Sequence, residues 1–202
     1  MRAHIFIDFW NFQLSVNDAV GSTYRPDWQK IPLWIIQESA AVIGRPLSYE
    51  GTHLYISYSP TSSKDASLRN FATSVLSRMP GMDVSLVERK AQSAPICPHC
   101  YQAITVCPHC SKTIIRTVEK GVDTAIVTDM LKFAWEGAMD LAILVSSDRD
   151  FIPVVELLAA KGFKSVNAHF PPRGMHLAGK CWASIDLQKG LAAFARTAKT
   201  TP

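Results

Sequence analysis

The sequence lacks any apolar run long enough to cross a membrane, because polar or charged residues interrupt every hydrophobic stretch well before the roughly 20 residues that a spanning helix needs. The opening stretch from Met1 to Ile7 is too short for a secretory signal, and Asp8 ends it. Strong charge is also missing, since 19% of the residues are charged and the formal net charge is +4. This mildly basic balance allows a polyanionic partner without requiring one. We therefore expect a cytoplasmic protein that does not associate with membranes.

Cysteine is scarce as well, and its placement is informative. Four of the five cysteines form two CxxC units, Cys97 with Cys100 and Cys107 with Cys110. In a reducing compartment such units indicate metal binding rather than disulfide bonds. Two CxxC units supply the four thiolates of one tetrahedral Zn²⁺ site. The pattern therefore predicts a structural zinc ion, with a redox-active cysteine pair as the alternative.

The zinc-binding segment is predicted to be a compact hairpin inserted over residues 91–116 and folded by the metal, since it is too short to bury a core of its own. Val84–Val87 and Ile114–Val118 are expected to form its stem. Such a zinc finger could contact RNA, a protein partner or another copy of the chain, and the sequence does not choose among them.

The apolar spacing alternates between short strand-like runs and longer helical ones. Predicted strands cover residues 4–9, 52–58, 82–87, 141–145 and 164–169; predicted helices cover 28–43, 66–79, 123–136 and 151–161. We further expect Lys112–Val118 to be extended and Leu187–Ala198 to form a closing helix, and no internal repeat is evident. Because parallel strands need crossover helices, this order predicts an α/β fold: a doubly wound, mostly parallel sheet with helices on both faces. The whole chain, residues 1–202, is predicted to be one such domain with the small insertion.

Four aspartates fall where strands end or helices begin. Asp8 follows the first predicted strand, Asp148 and Asp150 follow the strand at 141–145, and Asp123 opens a helix. Strand ends and helix starts share one edge of such a sheet, where ligands bind. Carboxylates that converge there repel one another unless a cation lies among them, and hard oxygen ligands select Mg²⁺ or Mn²⁺. Helix capping is the alternative for Asp123 and Asp150 taken singly.

Two more polar residues belong to this region. Asn11 lies three residues beyond Asp8 and could supply a neutral oxygen ligand or an orienting amide. Asp129 shares a helical stripe with Ile126 and Phe133, so it faces the sheet. We interpret Asp129 either as a carboxylate that supports the residues of the site from behind or as a structural one, paired to a basic or hydroxyl group below the site.

Three blocks of the sequence resemble those of NYN domains, members of the PIN-like nuclease group. The blocks are Phe6–Phe12, Lys120–Asp123 followed by Asp129, and Val145–Pro153 followed by Lys161–Phe163. The resemblance implies a Mg²⁺- or Mn²⁺-dependent nuclease, usually of RNA, on a parallel sheet of PIN type, leaving 5′-phosphate and 3′-hydroxyl ends. Carried over by position, it implies an acidic site of Asp8, Asn11, Asp123, Asp148 and Asp150, in which the four aspartates hold the ion. Ser147 stands where the family often has glycine, and the cysteine segment is no part of the common core.

Substrate binding would need positive charge near these acids. Lys120 precedes Asp123 closely and Arg149 lies between two acids, so both are candidate substrate-binding residues. Further basic residues flank the cysteines, namely Arg89, Lys90, Lys112 and Arg116. Aromatic residues near strand ends could stack on bases or pack in the core, namely Trp10, Phe12, Tyr55 and Tyr58. RNA is the expected partner, with DNA as an alternative.

Two alternatives to a nuclease remain open. One is a non-catalytic RNA- or protein-binding scaffold that retains the fold, although a binding module has no use for a repulsive acidic cluster. The other is a phosphohydrolase of small esters, which would use an aspartate two residues after Asp8, where this chain has Trp10. The acidic set therefore favours a metal-dependent nuclease, expected to be an endoribonuclease, although the sequence leaves internal and end-directed cleavage open.

Overall fold

The computed structural model describes residues 1–114 and 116–196. The strands are β1 (Arg2–Asp8), β2 (Ser48–Tyr58), β3 (Met82–Glu88), β4 (Lys90–Gln92), β5 (Arg116–Val118), β6 (Leu141–Val145), β7 (Lys164–His169) and β8 (Ala183–Asp186). The helices are α1 (Phe9–Val20), α2 (Lys30–Ile43), α3 (Ser63–Ser74), α4 (Val122–Trp135), α5 (Ile152–Ala160) and α6 (Met175–Ala178), and 3-10 turns lie at Leu76–Arg78, Arg149–Phe151 and Leu187–Gly190. Over the described ranges, no helix has both the length and the apolar character that crossing a membrane requires.

The main sheet has the strand order β3-β2-β1-β6-β7-β8, and every neighbouring pair in it is parallel. The chain first builds outward from β1 to β3 on one side, then returns to place β6 on the other side of β1. Strand order therefore reverses between β1 and β6, which in open α/β sheets is where ligands bind. The predicted fold class, a parallel α/β sheet with helices on both faces, is confirmed.

The alternation of side chains along β1 divides the core into two layers. Ile5 and Ile7 pack on one face with residues of α1 and α2, including Phe12 and Ile35. Phe6 points to the opposite face and belongs to the cluster formed with α4 and α5. Because both faces of β1 are buried, Asp8 at its end is held between two rigid layers.

Helix α1 was not predicted, and the predicted strand at 4–9 runs one residue too far, since Phe9 already begins this helix. Polar residues such as Asn11 and Asn17 are poor helix formers and weaken the local signal. Burial of Phe12 and Val16 against the sheet stabilises the helix instead. The other predicted strands and helices before residue 170 match observed elements to within a few residues at their ends, except that 66–79 and 151–161 each include a 3-10 turn.

The closing helix predicted over Leu187–Ala198 is wrong for its described part. A 3-10 turn covers Leu187–Gly190, turns follow, and residues 197 and 198 lie outside the described residues. A Cβ atom on Gly190 would overlap with the ring of Phe194 and lie 2.7 Å from that of Trp34. Close packing of glycine against two aromatic rings therefore shapes this segment, and strand β8 just before it was also missed.

The predicted stem of the insertion is also corrected. Val84–Val87 belongs to β3 of the main sheet, where it pairs with β2. The stem is instead the antiparallel pair β4–β5, in which Lys90 faces Val118 and Gln92 faces Arg116. The prediction of an extended Lys112–Val118 holds for β5, whereas Ile115 lies outside the described residues.

Asp129 on α4 accepts a hydrogen bond of 2.7 Å from the hydroxyl of Tyr55 on β2, as expected for a structural carboxylate paired to a hydroxyl group. Burial and the nearby Asp129 carboxylate raise the pKa of Tyr55, so the phenol stays protonated and donates. The bond fixes α4 to the sheet one strand away from Asp8.

We expect Tyr55→Phe to lower the free energy of unfolding by about 1–3 kcal/mol, because it leaves a partly buried carboxylate without its donor. Urea denaturation followed by circular dichroism would measure this. Tyr58→Phe is the matched control, since the Tyr58 hydroxyl lies 3.4 Å from exposed Glu88, and we expect a change below about 0.5 kcal/mol there. Equal effects of the two variants would contradict the assigned role of Asp129.

Candidate active site

Asp8 lies at the point where strand order reverses. It is the last residue of β1 and also the N-cap of α1, and its carboxylate accepts a hydrogen bond of 3.2 Å from the backbone N–H of Asn11. Asp8 is buried, with 8% of its surface exposed. The direct passage from strand to helix therefore fixes a carboxylate at the carboxyl edge of the sheet.

The loop after β6 is tied to Asp8 by side-chain hydrogen bonds. The hydroxyl of Ser146 donates to Asp8 at 3.5 Å and accepts from the backbone N–H of Asp148 at 3.1 Å. The side chain of Asn11 accepts from the backbone N–H of Ser147 at 2.9 Å. The Asn11 side chain therefore holds this loop against the start of α1. Ser147 does not adopt a positive φ, so serine fits where glycine is common.

Asn167 on β7 supports the same loop from below. Its buried amide donates hydrogen bonds to the backbone carbonyls of Leu144 and Ser146, at 3.0 and 2.9 Å. The sequence analysis missed this residue because nothing in its local pattern marks it as part of the site. It holds the end of β6 so that Asp148 lies near the place between β1 and β6 where strand order reverses, which we call the switch point.

Asp148, rather than Asp150, is the cap of the turn that follows β6. Its carboxylate accepts from the backbone N–H of Asp150 at 2.9 Å, whereas Asp150 itself is exposed in the first turn. Asp123 likewise lies in the first turn of α4, whose N-cap is Gly121 with a φ of 102°. Neither Asp123 nor Asp150 is therefore an N-cap, the alternative considered for them.

The carboxylates are close enough to change one another's pKa. Burial is the largest cause of the raised pKa of Asp8, which lies at about 6. The backbone N–H of Asn11 lowers that pKa, whereas neighbouring carboxylates raise it, namely Glu119, Asp123 and Asp148. The pKa of Asp123 is raised by burial first and then by the carboxylates of Asp148, Glu119 and Asp150. The four predicted aspartates therefore share one negative field.

Glu119 is a fifth carboxylate of this region, and the sequence analysis missed it. Its side chain accepts a hydrogen bond from Ser57 at the end of β2 and forms a salt bridge of 3.6 Å with Arg89. Arg89 also donates to Ser57 at 3.0 Å and lies over the ring of Trp10, 5.0 Å from its centre. The only local signal was an acid shortly before Asp123, since its partners come from distant parts of the chain.

Positive charge lies at the rim of the acidic cluster. Lys120 and Arg149 are exposed, and neither forms a salt bridge with a described residue. Half-buried Trp10 donates from its indole N–H to the carbonyl of Ser57 at 2.7 Å. Phe12 and Tyr55, in contrast, are core residues. Of the aromatic candidates, Trp10 with Arg89 above it is the one beside the acids.

The donor set fits a hydrated hard cation better than a fully chelated one. In the described part of the chain, no three His, Cys, Asp or Glu side chains are placed to hold one metal ion between them. No described Lys, Arg or His forms a salt bridge with any of the four aspartates either. Mg²⁺ keeps several waters and takes one or two carboxylates directly. Uncompensated, spaced carboxylates around buried Asp8 suit such an ion.

The two cysteine pairs form two separate turns and are not brought together. The pKa of Cys97 is lowered by hydrogen bonds from the backbone N–H groups of Cys100 and His99 and from the Cys100 thiol. The pKa of Cys107 is lowered in the same way by Cys110 and His109. The single four-thiolate cluster predicted from the sequence is therefore not formed within the described residues. Cys181, predicted to be a buried small residue, is partly buried, and burial raises its pKa to about 11.

Fold and site together define a class of protein. A parallel sheet with helices on both faces and acids at the switch point is consistent with a PIN-like fold. The sequence model of the NYN domain matches residues 2–176, and the chain belongs to the NYN domain family. NYN domains are nuclease-type domains and generally depend on divalent metal ions.

Comparison with solved structures supports the fold. A protein of unknown function from Vibrio parahaemolyticus is similar over 96% of this chain and 96% of its own, with a TM-score of 0.56 and 18% sequence identity. At that identity the likeness shows the fold alone. No curated protein matches the chain.

Proposed function

We propose that this protein is a Mg²⁺- or Mn²⁺-dependent ribonuclease that hydrolyses RNA phosphodiester bonds internally. The observation that supports this most directly is buried Asp8, with its raised pKa and without a cationic partner among the described residues, at the switch point of the sheet. An unpaired buried carboxylate is costly, so a fold that retains one beside other acids favours a site that a cation completes.

Each predicted residue has a distinct role in this proposal. Asp8, Asp123, Asp148 and Asp150 would hold the ion, directly or through water, and Asn11 would orient the loop that bears Asp148. The bound ion would lower the pKa of a water for in-line attack on phosphorus and offset charge on the phosphoryl oxygens. Asp8 stays ionised at neutral pH, because its pKa of about 6 lies below 7.

Residues around the acidic cluster, Lys120, Arg149 and Trp10, would determine which nucleic acid binds. Exposed Lys120 and Arg149 can each contact a phosphate beside the acids, and such contacts position a polyanion without reading its sequence. Trp10, with Arg89 above it, offers a stacking surface for an unpaired base. Stacking on an accessible base favours single-stranded RNA over a closed duplex. DNA is the alternative substrate, which the same assay would detect.

The test is cleavage of labelled RNA and DNA, single-stranded, structured and duplex, with Mg²⁺, Mn²⁺ or a chelator. We expect cleavage of single-stranded RNA that requires the ion, including a circular RNA without ends, with 5′-phosphate and 3′-hydroxyl products. Cutting of linear but not circular RNA would show an end-directed enzyme. No cleavage of any substrate would instead favour the non-catalytic scaffold.

Glu119 extends the proposed site beyond the residues predicted from sequence. Glu119→Gln keeps an acceptor for the Ser57 hydroxyl but removes a charge beside Asp8, so we expect a loss of about 10- to 100-fold in kcat. Steady-state cleavage kinetics would measure this. Glu88→Gln, on the exposed end of β3, is the matched control and should change kcat by less than about twofold. If the two variants behave alike, Glu119 has no part in the site.

We also propose a cytoplasmic location. The described cysteines are free thiols, five in number, and four of them are in closely spaced pairs. Closely spaced thiols persist in a reducing compartment and oxidise outside it. Fractionation of cells that express the tagged protein would test the location.

A further inference from the structure

The two cysteine pairs are built as the same turn twice, ten residues apart, a repeat that the sequence analysis did not recognise. We call residues 97–102 the first cysteine turn and residues 107–112 the second. In each turn the leading cysteine donates its backbone N–H five residues ahead and accepts from the N–H four residues ahead. These bonds join Cys97 to Gln102 and Tyr101 in the first turn, and Cys107 to Lys112 and Ser111 in the second, each at 2.9 Å.

Each turn presents two sulfur atoms side by side. Neighbouring backbone N–H groups and the Cys100 thiol lower the pKa of Cys97, and the corresponding groups of the second turn lower that of Cys107. Tyr101 and Ser111 close their turns with positive φ values of 57° and 55°. Non-glycine residues rarely adopt this conformation, so the turn geometry is imposed by the surrounding bonds. Each turn therefore offers two of the four thiolates that a tetrahedral zinc site needs, and we call it a half-site.

The two half-sites lie at opposite ends of one short segment, residues 103–106. Antiparallel bridges join Ile96 to Ala103 and Val106 to Thr113. The segments before, between and after the two turns therefore run in alternating directions. Successive turns of such a meander lie at opposite ends of its middle segment. Four extended residues span about 13 Å, whereas sulfurs on one Zn²⁺ lie about 4 Å apart. In agreement with this, the described residues place no three of these cysteines where one metal ion could bind them together.

We propose that a second copy of this chain supplies the two missing thiolates, so that zinc ions bridge two chains. Each ion takes one cysteine turn from each copy, which gives two ions per dimer. On binding, the four thiols of each site release their protons to solvent as their sulfurs become zinc ligands. Soft thiolates select zinc over the hard ions of the acidic site.

The surroundings of the turns fit a second copy. Ile96, Tyr101 and Val106 are 60%, 78% and 49% exposed, an apolar surface on a segment too small to cover it. Residues 90–118 contain no Asp or Glu but include Lys90, Lys112 and Arg116, whose positive charge would be offset by the net negative charge of a Zn²⁺ ion held by four thiolates. The stem β4–β5 forms a sheet separate from the six-stranded one.

The test measures zinc content and molecular mass in reductively purified full-length protein. We expect a dimer with about one zinc ion per chain, which a strong chelator converts to monomer. A monomer that holds one zinc ion would show that one chain supplies all four thiolates and would overturn the proposal. A protein without zinc, or a dimer that survives removal of zinc, would overturn it equally.

Serine variants of each turn identify which turns meet. Cys97→Ser/Cys100→Ser and Cys107→Ser/Cys110→Ser each leave one half-site. If the first turn of one copy meets the second turn of the other, neither variant dimerises alone, but the mixture forms a heterodimer with one zinc ion. If like turns meet, each variant dimerises alone around one zinc ion.

Cys181→Ser, which removes a thiol outside the turns, is the control and should match wild type in zinc content and mass. If both variants stay monomeric, alone and mixed, zinc does not bridge the chains. Zinc content and molecular mass do not depend on nuclease activity, so the zinc-bridged dimer and the ribonuclease activity are tested independently.

Discussion

Asp148→Asn is expected to lower metal-dependent RNA cleavage by at least about 10³-fold while leaving the fold intact. Asparagine can still accept the hydrogen bond from the backbone N–H of Asp150, so the cap of the turn after β6 survives. The substitution removes one negative charge from the group that includes Asp8 and Asp123. Cleavage of labelled single-stranded RNA in Mn²⁺, with circular dichroism as the check on folding, would measure both effects.

Asp186→Asn is the matched control for this experiment. Asp186 ends β8 and caps its own 3-10 turn by accepting from the backbone N–H of Gln188 at 2.9 Å, as Asp148 does at the same distance. It lies at the edge of the sheet, beyond β7, away from the switch point. We expect its cleavage rate to stay within about twofold of wild type. Full activity in Asp148→Asn would remove this residue from the site, whereas equal losses in both variants would indicate damage to the turns.

The second large effect concerns stability: Asp8→Asn is expected to make the metal-free protein more stable at pH 7.5 while abolishing cleavage. An unfolded aspartate ionises at its ordinary pKa of 3.8, whereas folded Asp8 ionises at about 6. The contribution of Asp8 to stability is thus greatest below pH 3.8, falls as the pH rises towards 6, and stays reduced above it. The shift of roughly two units corresponds to at most about 3 kcal/mol.

Urea denaturation in chelator at pH 4 and pH 7.5 would test this, with wild type and variant compared at each pH. The difference between them should be small at pH 4 and grow to its full size by pH 7.5. Burial lowers the pKa of His4 and His53, which costs stability below about pH 6.5, but this happens in both proteins and cancels in the comparison.

Added Mn²⁺ provides the complementary measurement, because a ligand that binds the folded state stabilises it. We expect Mn²⁺ to raise the free energy of unfolding of wild type more than that of Asp8→Asn. A variant less stable than wild type in chelator at pH 7.5 would show that ionised Asp8 is compensated within the protein, contrary to the proposed cation site.

Much of the fold could be predicted from the sequence because its signals are local. The strands Leu141–Val145 and Lys164–His169 have the predicted bounds, since short apolar runs between helical segments define buried strands. Helix α1 could not be predicted in this way, because its stability comes from packing rather than from helix formers. The turns after Leu187 depend on contact between Gly190, Trp34 and Phe194, which no local pattern shows.

The residues of the candidate site likewise fall into those with a local sequence signal and those without one. Asp8 and Asp148 were predictable because each directly follows an apolar strand. Glu119 was not, because Ser57 and Arg89, which bind it, lie at the ends of other strands. Asn167 was missed for the same reason.

By itself, the sequence determined the order of strands and helices, the edge on which the aspartates lie and the presence of two paired-thiol turns, because these features depend on residues adjacent in the chain. Only the tertiary structure decided that Asp8 is buried beside a fifth carboxylate, that Asp148 rather than Asp150 caps its turn, and that the two cysteine pairs are not brought together within the described residues. Contacts between distant residues depend on strand order and pairing direction, which follow from how the whole core packs.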